Sequence, residues 1–182
     1  MITSAPFMSC PEDRDLAEVV IDSLRFAAEG GYLSGKLALS QLPRLSDVLT
    51  SQAGSLVCVL AGFREPDAGK AKLGLRLQVS GRLSLRCERC LSDVDVDCAL
   101  DSRLMLIPPG EAWPEEELET DDYDAIPANR ELSLLSLVEE EVLLALPIVP
   151  RHAHCQPPSG TGDEEVERRP SPFAALAGLK KS

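Results

Sequence analysis

Leu73-Gly74-Leu75-Arg76-Leu77-Gln78-Val79-Ser80-Gly81-Arg82-Leu83-Ser84-Leu85-Arg86-Cys87-Glu88-Arg89-Cys90 decides how this chain folds. Leu73, Leu75, Leu77, Val79, Leu83, Leu85 and Cys87 share one parity, with Gly81 as the only gap, which is the period-2 pattern of a half-buried strand. Downstream, Val94, Val96, Cys98, Leu100, Leu104 and Leu106 repeat the pattern. The two segments read as a long antiparallel hairpin with Cys87-Glu88-Arg89-Cys90 at its tip. Hairpin tips favour Asn-Gly or Gly-rich turns, and none occurs between Glu88 and Ser92. The tip must then be held by something other than turn propensity, and a bound metal is the candidate.

The outward parity carries charge. Lys70, Lys72, Arg76, Arg82 and Arg86 line the first segment, and Asp93, Asp95, Asp97 and Asp101 line the second. Pairing about the tip sets carboxylates opposite the bases, a stabilising arrangement on an exposed sheet face. Most of the stripe is therefore neutralised rather than free for phosphate, leaving Arg86 and Arg89 as the exposed basic positions.

Working outward, residues 1–11 are a loose lead-in, and residues 12–155 form a single domain. Glu12 to Ala28, with Leu16, Val19, Val20, Leu24 and Ala27 at helical spacing, reads as a surface helix closed by Gly30-Gly31. Tyr32 to Leu39 reads as a short strand and Leu42 to Leu49 as a helical connector. Ser55 to Ala61, apolar on both parities, reads as a central strand with Cys58 in the core, and Gly62 to Gly69 as a turn. Glu131 to Leu146 is the clearest helix, with a stripe of Leu134, Leu135, Val138, Val142, Ala145 and Leu146, and Pro147 stops it. Glu139, Glu140 and Glu141 inside it read as a solvated face. The fold class is α+β: an antiparallel sheet built on the long hairpin, with packed helices and an acidic loop.

With 182 residues one core suffices. Apolar residues make up 44% but aromatics only 4%, so Leu, Val and Ala must build it. The net charge of −12 disfavours broad binding to nucleic acid. The loop Glu111 to Asp124 holds eight carboxylates and no Lys or Arg, leaving only −4 on the rest, so a local basic patch is compatible with the composition. With no signal-peptide pattern and no apolar run of membrane length, the expected location is cytoplasmic. In a reducing cytosol, six Cys are thiols or metal ligands before they are disulfides.

Both histidines of the chain lie in Arg151-His152-Ala153-His154-Cys155. A structural zinc site takes four Cys or His ligands, two from a CxxC and two from a distant segment. Cys87 and Cys90 supply one pair; Cys155 with His152, or with His154 as the alternative, supplies the other. The competing reading is unliganded, reduced thiols. A redox CxxC is the weakest, because such motifs sit at helix N-termini and these flanks are strands. Residues 156–170 are linker-like, and residues 171–182 form an amphipathic segment with Phe173, Leu176 and Leu179 on one face and Lys180 and Lys181 at its end. Too short to stand alone as a helix, it must dock on its own domain or on a partner.

Three motifs together carry a resemblance: Cys87-Glu88-Arg89-Cys90-Leu91 after a long strand, the run from Leu137 through Glu139-Glu140-Glu141 and Pro147-Ile148-Val149-Pro150 to Cys155, and Ser171 to Lys181. In order and spacing the chain resembles the YceD family of large ribosomal RNA subunit accumulation proteins over most of residues 30–181. The resemblance implies a non-enzymatic factor, bacterial or plastid, for synthesis, processing or stability of 23S ribosomal RNA. It also implies roles for Cys87, Arg89, Cys90, Glu140, Glu141, Pro147, Pro150, His152, Cys155, Pro172 and Phe173, and no catalytic residue. The expected partners are pre-ribosomal RNA or large-subunit assembly proteins, with no membrane and no small-molecule substrate. Arg86, Arg89, Phe173, Leu176, Lys180 and Lys181 are the expected contacts, and one structural zinc the expected cofactor. The rival functions are an acidic adaptor that occupies a basic partner through the 111–124 loop, and an RNA-processing enzyme, for which the sequence offers no open acid cluster.

Overall fold

The structure, a computed structural model, describes residues 14–66, 71–113 and 123–158. The lead-in, most of the acidic loop and the C-terminal segment lie outside the described residues.

A sheet of six strands organises the chain. Strand β2 (Tyr32–Ala38) pairs antiparallel with β4 (Ser55–Pro66), and β4 with the first part of β5 (Ala71–Arg86). Along β5 runs β6 (Asp93–Ile107), antiparallel from Gly74↔Met105 to Arg86↔Asp93. The short β3 (Leu49–Ser51) continues the β4 edge by pairing with the far end of β5, at Leu49↔Leu85 and Ser51↔Ser84. Strand β7 (Asp124–Pro127) joins β6 in parallel, so the sheet is mixed where the sequence reading expected it antiparallel throughout. Asp124, expected at the end of the acidic loop, opens this strand.

Alternation along β5 translates directly into burial. Leu75, Leu77, Val79, Leu83, Leu85 and Cys87 are all buried. On this face pack α1 (Ser23–Ala28), against β4 and β5, and α3 (Leu134–Ala145), against β5 and β6. The main core is mostly leucine, including Leu37, Leu56, Leu60, Leu75, Leu77, Leu83, Leu104 and Leu134, with Cys58 and Cys98 among its other buried members. Among the described residues, no aromatic ring belongs to its buried set. Burial pushes the Cys58 thiol up to about 12, as expected of a thiol acting as a small hydrophobe.

Four further expectations are corrected. The helix expected over Glu12 to Ala28 is only α1. Before it, Asp15 bridges to Lys36, and β1 (Val20–Ile21) pairs with β8 (Leu132–Ser133) in a separate two-stranded sheet. Val20 and Ile21 are β-branched and gain a partner strand; Asp22 then starts the helix by accepting from the Arg25 N–H. Gly30, at φ +65, closes it in the left-handed conformation. The turn expected from Gly62 is instead strand, since β4 runs to Pro66. Helix α3 begins at Leu134 rather than Glu131, because Leu132 and Ser133 are held in β8 and Ser133 caps the helix by accepting from Ser136 N. Its buried stripe includes Leu137, while Ala145 is exposed.

The fourth correction concerns the glutamates. Glu139 is only 2% exposed and Glu141 8%; Glu140 alone faces solvent. Glu139 Oε1 accepts from the backbone N–H of Arg44 at 2.8 Å. Arg44 lies in the first turn of α2 (Pro43–Ser46), whose cap position is Leu42, a side chain with no acceptor. The carboxylate of α3 satisfies from across the fold the N–H that a local Ser or Asp would normally take.

Candidate metal centre

At the end of β5 the chain turns through Cys87 to Ser92. Cys87 N donates to Ser92 O and Leu91 N to Cys87 O, each at 2.9 Å. Leu91 sits at φ 63, a left-handed conformation costing a branched residue roughly 1–2 kcal/mol. That cost is the missing turn chemistry in physical form, and contacts from elsewhere must offset it. They come from the segment after α3: Glu88 N donates to Pro150 O at 2.9 Å, and Arg89 Nη1 to Cys155 O at 3.4 Å. Beneath the turn, Leu85, Cys87 and Val94 form a second small core with Leu49, Cys90, Leu146 and Cys155 packed against it.

These contacts bring together Cys87, Cys90, His152 and Cys155, whose ligand atoms all lie within 4.8 Å of one another. Cys87 Sγ is 3.8 Å from Cys155 Sγ, and Cys90 Sγ is 3.3 Å from His152 Nδ1. A tetrahedral zinc ion with ordinary bond lengths would require about 3.8 Å between sulfurs and about 3.5 Å between sulfur and nitrogen. Donor type, number and spacing therefore fit a closed Cys3His site. His154, the alternative ligand, is exposed and lies outside the group.

The electrostatics divide the cluster, with Cys87 and Cys90 shifted toward thiolate and His152 and Cys155 shifted toward their protonated forms. Burial works against ionising Cys87, but the backbone N–H groups of Cys90, His152 and Arg89, with the Cys90 thiol, outweigh it and lower the thiol to about 5. Ser92, first through its hydroxyl at 3.0 Å and then through its backbone, lowers Cys90 as well. The Cys87 and Cys90 sulfurs raise His152, and burial raises Cys155. Backbone N–H groups aimed at a sulfur stabilise its thiolate, the form that ligates metal. Sequence reading missed Ser92 and named Pro150 only through the family resemblance, because neither residue type advertises a ligand-supporting role.

Behind the tip the charge ladder is paired. Arg76 donates to Asp101 at 2.6 Å and Arg82 to Asp97 at 3.1 Å, while Ser84 Oγ donates to Asp95 at 2.6 Å. Arg86, opposite Asp93 in the register, and Arg89 are both exposed beside the cluster. Phe173, Leu176, Lys180 and Lys181 lie outside the described residues. Among the described residues, no helix is long and apolar enough to cross a membrane.

A mixed-sheet α+β protein with a Cys3His cluster whose spacing fits a metal ion is the class that fold and site define. Within that class the chain belongs to the YceD family: the family described as "Large ribosomal RNA subunit accumulation protein YceD" matches residues 75–180, which contain all four cluster residues. A protein of that same name from Haemophilus influenzae is 27% identical over 172 residues, covering 90% of this chain and 95% of its own. No solved structure matches.

Proposed function

We propose that this protein supports accumulation of the large-subunit 23S ribosomal RNA by binding, with the clasped tip of β5 and β6 as the contact surface. The observation that carries the reading is the family match over residues 75–180, which encloses the cluster and both exposed arginines. Cys87, Cys90, His152 and Cys155 would hold one zinc ion, and four protein ligands would make its contribution one to folding. The clasp holds Arg86, the last residue of β5, close to Arg89 on the turn, where a guanidinium forks onto phosphate oxygens. With the stripe behind them paired to carboxylates, the basic surface is small, in keeping with a chain of net charge −12. Pre-ribosomal RNA or a large-subunit assembly protein is the partner.

The test is recovery of precursor 23S RNA and assembly proteins with the tagged protein at moderate salt. The wild type retains them, Arg86→Glu with Arg89→Glu loses them, and Arg76→Gln with Arg82→Gln keeps them. Wild-type recovery by the tip variant would remove the proposed contact.

A further inference from the structure

Beside the clasp lies a groove of about 460 Å³, walled by Val48, Leu85, Leu143, Leu146, Ile148 and Pro150. Its apolar rim is open: Ile148 is 97% exposed and Val48 43%. Asp47 and Glu88 stand at its edge with Arg86. An open apolar groove with more carboxylates than bases fits an apolar segment carrying positive charge.

We infer that the groove seats the chain's own C-terminal segment, Pro172 to Lys181. That segment has the matching chemistry: Phe173, Leu176 and Leu179 recur at helical spacing, and Lys180 and Lys181 follow them. The described chain stops at Pro158, just past Cys155, and Cys155 packs on the same small core as Leu85 and Leu146, two walls of the groove. The tether therefore starts beside the groove. Residues 159–171 span on the order of 40 Å when extended, so the segment reaches without strain. Tethering sets its effective concentration at roughly millimolar, which makes even a weak apolar contact populated.

Docking brings Lys180 and Lys181 to the end of the molecule that carries Arg86 and Arg89. That consequence enlarges the basic surface of the proposed RNA contact; the docking stands or falls without it.

The experiment uses the full-length chain, with Phe173 replaced by the photo-crosslinking residue p-benzoylphenylalanine and the crosslinked peptides identified by mass spectrometry. The expected product is a single-chain species joined to Val48 or to residues 143–150, reduced roughly tenfold by Ile148→Asp. Ile148 is surface-exposed, so this variant folds, and circular dichroism verifies it. Crosslinks elsewhere in the chain, between two chains, only to another protein or RNA, or none at all, each overturn the inference. None of these readouts depends on RNA recovery, so failure here is distinct from failure of the proposed function.

Discussion

Cys87 Sγ and Cys155 Sγ lie 3.8 Å apart although 68 residues separate them in sequence. The contact joins the end of β5 to the segment that follows α3, so one small cluster pins the sheet's tip to the exit of the main helix. The buried residues of the small core beneath it, Leu85, Cys87 and Val94, are distinct from those of the sheet's main core, although Leu49 and Leu146 pack against both. Metal and leucine should therefore stabilise different parts of the molecule.

The purified protein should contain about one zinc per chain, and the Cys87→Ser, Cys90→Ser double variant none, measured by elemental analysis of both. Equal zinc in the two would remove the site. Chelation should raise hydrogen exchange at residues 87–92 and 148–155 while leaving Leu75 to Val79 protected. Uniform loss of protection would show that the two cores are one cooperative unit.

Glu139→Leu should destabilise the protein by about 1–2 kcal/mol, because the Arg44 N–H loses its acceptor inside the fold. Glu139→Gln keeps an acceptor oxygen and should cost less. Urea midpoints at constant slope measure both.

Glu141 carries the pH dependence. Burial raises its carboxyl above the usual 4.5, against a lowering hydrogen bond from Ser102, with Asp124 and Glu140 adding to the rise. A raised folded-state value makes the acid form the one the fold prefers. Its favourable contribution is complete below 4.5 and is lost as pH rises through the folded value. Glu141→Gln should therefore raise the melting temperature at pH 7, with the gain shrinking to nothing near pH 4. A gain of equal size at both pH values would contradict the assignment.

Gly35 in β2 admits no side chain, since a Cβ there would run into the Arg14 carbonyl and the Leu16 side chain. The Arg14 carbonyl accepts the Lys36 N–H at 2.8 Å, so the approach belongs to the hydrogen bonding that holds the N-terminal segment on the sheet. Gly35→Val should cost about 1–3 kcal/mol by overpacking, read as a lowered denaturant midpoint.

The sequence alone showed which residues of β5 and β6 face the core. A strand repeats every two residues and the buried set must share a parity, so Leu75 to Cys87 and Val94 to Leu106 were legible. The opposition of the outward Asp and Arg residues followed from the same periodicity and a shared turn. The Cys-His group was legible by type, because Cys and His at ligand spacing have few other uses, with His152 named first and His154 as its alternative. What only the tertiary structure decided were pairings between distant segments. Val20 carried a helical pattern until Leu132 and Ser133 offered it and Ile21 a strand partner, since a local preference of a few tenths of a kcal/mol yields to tertiary hydrogen bonds. Glu139 and Glu141 read as solvated because burial of a carboxylate requires partners, and theirs, Arg44 and Ser102, lie far along the chain. Local periodicity records what faces the core; which distant group meets a buried charge, or clasps a strained turn at Leu91, is settled only when the chain is folded.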